Sequence, residues 1–248
     1  PLASADSVPT RSGGNFTDQM KLAYRDDLDP EAGADAVERQ GDHPDSPYFS
    51  TVDFYNAEST ETLTILPHFQ TMQQTSEWSC GVVSALLVFN YYDQLGEQTE
   101  RTLAELRSNG LTPEATDMES MIAIFNQVGG FDLESGLDYP ADQLEAAFPL
   151  ERFEALLKEG TPVMVAWNDW GGHWQVVIGY DNMGTETTQD DVLIVADPYD
   201  TTDHNQDGYT VYGAERFYYN WTMYDFFEEQ GMENQRDLMF LIATPSAG

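Results

Sequence analysis

Basic residues are scarce in this sequence. Of its 248 residues, 10 are lysine or arginine, and 44 are aspartate or glutamate. The formal net charge of −34 would repel nucleic acids and anionic membrane surfaces, so we expect neither as a partner. We interpret the charge as a solubility device of a secreted or salt-exposed protein. Attraction of a cationic substrate is the alternative, but nothing in the sequence places the charge on one face, so we keep the first interpretation.

A single cysteine, Cys80, limits the chemistry further. One thiol cannot form an intramolecular disulfide, a CxxC redox motif or a zinc site built on several cysteines. No apolar run approaches the roughly 20 residues that span a bilayer, so membrane insertion is not expected. The chain begins at Pro1 rather than at methionine, which a removed signal peptide or a shortened chain would explain. We therefore expect a secreted or cell-surface bacterial protein.

The sequence does contain enough apolar material for one hydrophobic core, with 41% hydrophobic and 12% aromatic residues. Residues 1–58 are polar, acidic and rich in Gly, Pro, Asp and Ser. They are expected to form a partly ordered N-terminal arm. Residues 59–248 would then form one domain, and whether the arm is a propeptide stays open.

Helical patterns precede most strand patterns along this domain. Residues 80–92 are apolar on nearly every side, which predicts a buried central helix. Further helices are predicted at 99–109 and 116–128, with one or two short ones within 141–158. Strands are predicted at 63–67, 162–167, 173–180, 192–196, 209–219 and 238–243. This order indicates an α+β fold, in which an N-terminal helical layer with its central helix packs on a C-terminal antiparallel sheet.

Cys80 stands at the start of the predicted central helix, followed by Gly81. Unpaired N–H groups and the positive end of the helix dipole stabilise a thiolate at this position and lower the thiol pKa. A structural cysteine would more naturally lie in the middle of the helix, so its position favours a nucleophile. Gln74, six residues earlier, can complete an oxyanion hole with the backbone N–H of Cys80, although Gln73 lies beside it.

A candidate general base follows later in the chain. His173 comes after two glycines and begins a strand pattern, so it is rigidly held and can face a cleft. If the strands at 173–180 and 192–196 form a hairpin, Asp197 returns near His173 and can hold the tautomer of its imidazole. The other histidines are poorer candidates, since they lie in the polar arm, after a proline and in an Asp-rich turn: His43, His68 and His204.

These residues resemble those of papain-clan cysteine peptidases. The resemblance is carried by Gln73-Gln74, Trp78-Ser79-Cys80-Gly81, Gly160-Thr161-Pro162-Val163, Gly172-His173-Trp174 and Ala196-Asp197-Pro198. Within that clan, residues 60–243 look closest to the double-glycine (bacteriocin-leader-processing) peptidases and their stand-alone secreted relatives. The resemblance implies a papain-like fold and no required cofactor. It also implies Cys80 as nucleophile, His173 as base, Asp197 as orienting residue and Gln74 as oxyanion donor.

Three functions are compatible with this set of residues. The first is hydrolysis of a peptide or protein substrate through a thioester. The second is an amidase or transferase that acts on cell-wall peptides with the same residues. The third is a fold that has lost catalysis and binds peptides or partner proteins. Since this sequence includes no transporter membrane domain like that of true leader-processing enzymes, cleavage after a double glycine is not implied.

A separate motif predicts a possible structural calcium ion. Asp203, Asn205 and Asp207 fit the first half of an EF-hand-type loop, D-x-N-x-D-G. The second half does not fit, because position twelve is Ala214 and Glu215 comes one residue late. A tight Asx-rich turn is therefore the alternative interpretation.

Overall fold

The computed structural model describes residues 20, 22, 27–29, 31–34, 46–48, 52–222 and 237–247. The helices in these ranges are α1 Cys80–Tyr91, α2 Glu100–Glu105, α3 Met118–Val128, α4 Leu144–Ala147, α5 Arg152–Lys158 and α6 Ala214–Trp221. The strands are β1 Leu63–Ile65, β2 Phe131–Ser135, β3 Val163–Trp167, β4 His173–Asp181, β5 Val192–Ala196, β6 Tyr209–Gly213 and β7 Met239–Pro245. None of the helices in the described part of the chain is long and apolar enough to cross a membrane.

In these ranges seven strands form one antiparallel sheet in the order β2-β7-β3-β4-β5-β6, while β1 pairs with the end of β4. Trp167 of β3 lies opposite His173, and Ala196 of β5 lies opposite Val176. β4 and β5 therefore form the predicted hairpin, which returns the chain after Ala196 toward His173. The helical layer and this antiparallel sheet confirm the predicted α+β, papain-like architecture.

The central helix α1 is buried, as its pattern predicts, because every residue from Cys80 to Phe89 is shielded from solvent. Gly81 allows its first turn to lie close to the sheet. A Cβ atom at this position would lie 2.8 Å from Thr116 Cβ and 3.0 Å from Trp174 Cδ1, closer than packed carbon atoms tolerate. Because Trp174 follows His173 in β4, this close approach also brings Cys80 to the start of that strand.

The other predicted helices are confirmed, but they begin or end at different residues than the sequence predicts. α3 is capped by Asp117, whose carboxylate accepts a hydrogen bond from Ser120 N at 2.8 Å. α2 ends at Glu105 rather than at Asn109. Arg107 explains the early end, because its buried guanidinium donates to carbonyl oxygens of the following turn at 2.5–3.0 Å.

Two elements differ from the sequence prediction. β2 was not predicted, and its partner β7 is distant in sequence, with Glu134 opposite Ile242. Residues 214–219 were predicted to be extended and instead belong to α6, so that part of the prediction is wrong. The buried residues of α6, Ala214, Phe217 and Trp221, have helical spacing, and this packing outweighs the strand preference of the neighbouring tyrosines.

Described residues between positions 20 and 33 contact the segment at 71–77, which leads to α1. Thr71 N donates a hydrogen bond to Met20 O at 2.9 Å, and Asp29 N donates to Thr75 O at 3.1 Å. Gly33 has φ +78°, and a Cβ atom there would lie 2.5 Å from a backbone nitrogen of the same segment. This part of the N-terminal region therefore supports the loop from which Cys80 emerges.

Candidate active site

The structure brings three of the four predicted site residues together. Cys80, at the first turn of α1, lies within hydrogen-bonding reach of His173, at the start of β4. On the other side of the ring, His173 Nε2 lies 2.7 Å from Asp197 Oδ1. Cys80 and His173 are only 7% and 4% exposed, so their contact is shielded from bulk water. The nitrogen left to face the thiol is therefore Nδ1.

Asp197 is held by more than its histidine. Its Oδ1 also accepts a hydrogen bond from Tyr199 N at 2.8 Å, and its Oδ2 accepts from Gln175 Nε2 at 2.8 Å. Gln175 is itself fixed, because Trp167 Nε1 donates to its Oε1 at 2.8 Å. The carboxylate therefore has a single orientation that presents Oδ1 to the imidazole.

The electrostatics of this trio favour an ion pair between the thiolate and the imidazolium. Burial alone would raise the pKa of Cys80, but the hydrogen bond and charge of His173, with N–H groups of Trp174 and Gly81, bring it below the ordinary value. Burial opposes protonation of His173, but Asp197 and Cys80 outweigh it and raise its pKa to about 10. Burial works against the charged form of Asp197 as well, and the contact with His173 nevertheless lowers its pKa.

The two neighbouring glutamines have different environments. Gln73 braces the chain after β5, since its Nε2 donates to Asp197 O at 2.9 Å and its Oε1 accepts from Asp200 N at 3.0 Å. Gln74 is 1% exposed, and its Nε2 donates to Ser76 O at 2.7 Å. An amide nitrogen carries two hydrogens, so Gln74 Nε2 has a second one to donate. Gln73 thus braces the chain after β5 with both ends of its amide, whereas the hydrogen bond of Gln74 stays within its own loop.

Sequence reasoning missed a buried carboxylate behind the nucleophile. Glu100, at the first turn of α2, is fully buried. Its Oε1 accepts hydrogen bonds from Thr75 N at 3.0 Å and Ser79 Oγ at 2.6 Å, and its Oε2 accepts from Thr75 Oγ1 at 2.6 Å. These bonds fix the segment between Gln74 and Cys80 on both sides. A charged residue at a helix start has many ordinary explanations, so no local signal identified it.

A second carboxylate lies beside the imidazole. The atoms of Asp169, His173 and Asp197 that could bind a metal lie within 4.8 Å of one another, and this spacing is compatible with a metal ion. However, His173 and Asp197 use the atoms that would face an ion for their own hydrogen bond, and Asp169 Oδ2 accepts from Tyr212 OH at 3.2 Å. We therefore interpret Asp169 as part of the hydrogen-bonded surroundings of the histidine.

Glu77, Trp170 and Tyr199 each lie two or three positions in sequence from a residue of the trio. We call these three residues the rim. The Trp170 ring is 59% exposed and its centroid lies 5.4 Å from that of Tyr199, whose hydroxyl donates to Glu77 Oε2 at 3.0 Å. An exposed tryptophan held on a second ring is a typical contact surface for a peptide.

The other described histidines, His68 and His204, lie outside the site. His68 is exposed, and its Nδ1 lies 3.1 Å from Tyr55 O. His204 lies in the loop between β5 and β6, together with the predicted calcium ligands Asp203, Asn205 and Asp207. His43 lies outside the described residues.

Comparison with known proteins identifies the family. The model of a family described as the Peptidase_C39 like family matches residues 66–227, which include all four predicted site residues. Among solved structures, the chain is similar to a double glycine motif protease from an AMS/PCAT transporter in complex with the leader peptide. Sequence identity is 17%, the match covers 75% of this chain and 96% of that chain, and the TM-score is 0.41. No curated protein matches this chain.

Proposed function

The chain belongs to the Peptidase_C39 like family, and on that premise we propose that it is an active cysteine peptidase with Cys80 as nucleophile and His173 as general acid and base. The observation that carries the proposal is the buried Cys80–His173 contact, with Asp197 at 2.7 Å on the far side of the ring. A cysteine kept only for packing needs no such partners.

The reaction follows from the charges of this trio. The Cys80 thiolate attacks the carbonyl carbon of the scissile amide, and the carbonyl π electrons move to oxygen. In the proposed mechanism the backbone N–H of Cys80 and the Nε2 of Gln74 stabilise that oxyanion. As the tetrahedral intermediate collapses, the His173 imidazolium gives its proton to the leaving amine. His173 then takes a proton from water, which attacks the thioester and releases the acid product.

Asp197 is the orienting residue of the proposed triad. Its carboxylate stabilises the imidazolium and holds the ring with Nδ1 toward the sulfur. Since Gln175, Tyr199 N and the His173 ring saturate this carboxylate, its position does not depend on substrate. Peptides are the proposed substrates, with the rim of Glu77, Trp170 and Tyr199 as a contact surface for their side chains.

Alkylation of Cys80 tests the activation step without knowledge of the substrate. In wild-type protein, iodoacetamide should react at neutral pH faster than with a free thiol, because Cys80 is present as thiolate. His173→Ala should slow the reaction by about tenfold or more, since the counter-ion of the thiolate is lost. His68→Ala is the matched control, because it removes an exposed histidine outside the site, and it should leave the rate unchanged.

Cleavage of a peptide library tests the reaction itself. Cys80→Ala should abolish cleavage, and wild-type protein should form a thioester that hydroxylamine traps. Slow alkylation that His173→Ala does not alter, together with no cleavage by the wild type, would instead indicate a binding module. Cell-wall peptides belong in the same assay, because an amidase or transferase would use the same residues and differ only in substrate.

A further inference from the structure

The loop that connects β5 to β6 carries a second group of buried oxygen atoms. We call residues 200–208 the acidic loop. Asp200 and Asp207 are each 2% exposed, and Asn205 is 8% exposed. Backbone N–H groups hold three carboxylates of this loop: Gly208 N donates to Asp200 at 2.8 Å, Tyr209 N to Asp207 at 3.0 Å and Asn205 N to Asp203 at 3.0 Å. Burying like charges together is unfavourable unless a cation accompanies them.

One atom of this loop independently indicates a ligand. Asn205 Oδ1 is buried and accepts no hydrogen bond, while the nitrogen of the same amide donates to Asp207 Oδ2 at 2.6 Å. Since the two atoms share one carbon, the free oxygen lies within a few ångströms of the Asp207 carboxylate. A buried acceptor without a partner is costly and rare in native proteins. A cation that binds Asn205 Oδ1 and Asp207 together would satisfy it.

The acidic loop borders a cavity. The cavity has a volume of about 710 Å³ and has Asp203, Asn205 and Asp207 in its lining, and apolar residues such as Phe54 and Ile194 form other parts of its wall. An ion at the acidic loop would enter from this cavity and retain some of its water there. Both are needed at a site whose protein ligands are fewer than the six to eight oxygens that calcium takes.

We propose that the acidic loop binds a calcium ion through the side chains of Asp203, Asn205 and Asp207. All of these are oxygen donors, which suit Ca²⁺ rather than softer metals. The site differs from an EF-hand, because the loop joins two strands and position twelve is Ala214, the first residue of α6. Glu215 does not replace the missing ligand, because its Oε1 accepts a hydrogen bond from Thr188 at 2.6 Å.

The missing bidentate glutamate limits the affinity that we expect. Calcium sites of extracellular modules have dissociation constants of about 10⁻⁴–10⁻³ M, and we assign this site to the same range. The ion would also brace the active site, because Gln73 Oε1 accepts from Asp200 N at 3.0 Å and from Gln206 Nε2 at 3.3 Å. The same glutamine donates to Asp197 O at 2.9 Å. Order in the acidic loop is thus linked to the backbone of Asp197.

Thermal unfolding of the full chain, stripped of metal with EDTA, tests the site. Calcium chloride at about 10 mM should raise the melting temperature by about 5 °C, as a ligand that binds the native state does. Magnesium chloride at equal concentration and sodium chloride at equal ionic strength should have smaller effects. Equal shifts with all three salts would overturn the proposal, because screening of the large net charge would explain them.

Variants locate the effect within the chain. Asn205→Ala and Asp203→Asn should each abolish the calcium-specific shift, whereas Asp142→Asn, which removes an exposed carboxylate elsewhere, should retain it. Calorimetric titration at a temperature where each variant is folded keeps the test valid even if one of them is destabilised. Calcium binding of wild-type strength in both loop variants, or no binding by the wild type, would rule out this site.

Discussion

Asp197 and Asp207 are both buried carboxylates on the connection between β5 and β6, yet their environments are opposite. Asp197 lies 2.7 Å from a histidine whose pKa is raised to about 10, and its own pKa is lowered. Asp207 has burial and the charge of Asp203 acting on it, and both raise its pKa well above the ordinary value. The protein supplies the cation for Asp197, whereas in our proposal a calcium ion from solution supplies it for Asp207.

Glu100 is a third buried carboxylate, and it is stabilised in a different way. Burial raises the pKa of its carboxyl group, and no base is needed because hydroxyl and N–H donors of Thr75 and Ser79 surround it. In a chain with 44 acidic residues against 10 lysine and arginine residues, protein cations cannot serve every buried carboxylate. The imidazole beside Asp197 therefore agrees with the orienting role proposed for this carboxylate.

The largest effect is expected from Asp197→Ala. Alanine offers the imidazolium no acceptor, so kcat/KM for peptide cleavage should fall by about 10²–10⁴-fold with little change in KM. The pKa of His173 should fall toward its ordinary value at the same time, which the pH dependence of Cys80 alkylation would measure. An unchanged alkylation profile would mean that Asp197 does not set the charge of the trio.

The wild-type pH profile is the next test. As the pH is raised from acidic values, activity should increase while Cys80 loses its proton. The midpoint should lie below the ordinary thiol pKa, because His173 stabilises the thiolate. At alkaline pH, activity should fall as His173 deprotonates at about 10, since the counter-ion and the proton donor are then lost. A fall centred near neutral pH would contradict the ion pair between His173 and its neighbours.

Two substitutions of Glu100 distinguish the effect of its hydrogen bonds on stability from the effect of its charge. Glu100→Ala should lower the free energy of unfolding by about 3 kcal/mol, because buried donors of Thr75 and Ser79 lose their acceptor. Glu100→Gln should cost about 1 kcal/mol, since the amide oxygen can still accept and the hydroxyl of Thr75 can reverse its role. Urea denaturation measures both. Equal losses for the two variants would show that the charge of Glu100, rather than its acceptor capacity, is what the structure uses.

The smallest effect is expected at the rim. Trp170→Ala should raise KM about threefold to tenfold and leave kcat and the alkylation rate of Cys80 nearly unchanged, because it removes only a contact surface. Tyr219→Ala, which removes another aromatic ring that is 59% exposed, serves as the control. A loss of kcat in Trp170→Ala would instead place this residue in the positioning of His173.

Much of the site was predictable because its signals are local. Cys80 at a helix start and His173 at a strand start each have a recognisable sequence context, and the hairpin that joins β4 to β5 places Asp197. The choice between Gln73 and Gln74 was not local. It depends on the contacts of Gln73 with the chain after β5, more than a hundred residues later.

Local propensity failed where tertiary packing decides the structure. β2 needs β7 as a partner, and no sequence window contains both. α6 carries tyrosines that favour strands, but its buried face of Ala214, Phe217 and Trp221 requires a helix. A search for helical spacing within 214–221 would have found this element.

The sequence by itself determined the α+β order of elements, the central helix and the choice of Cys80 and His173 as candidate nucleophile and base, because periodicity, caps and residue type act over a few positions. Only the tertiary structure decided which buried acids receive a cation, a set of hydroxyl groups or neither. That assignment depends on distances between residues far apart in the chain, such as Glu100 to Thr75 and Asp197 to His173. Burial makes those distances decisive, because the free energy of a charge out of water depends on what lies within a few ångströms.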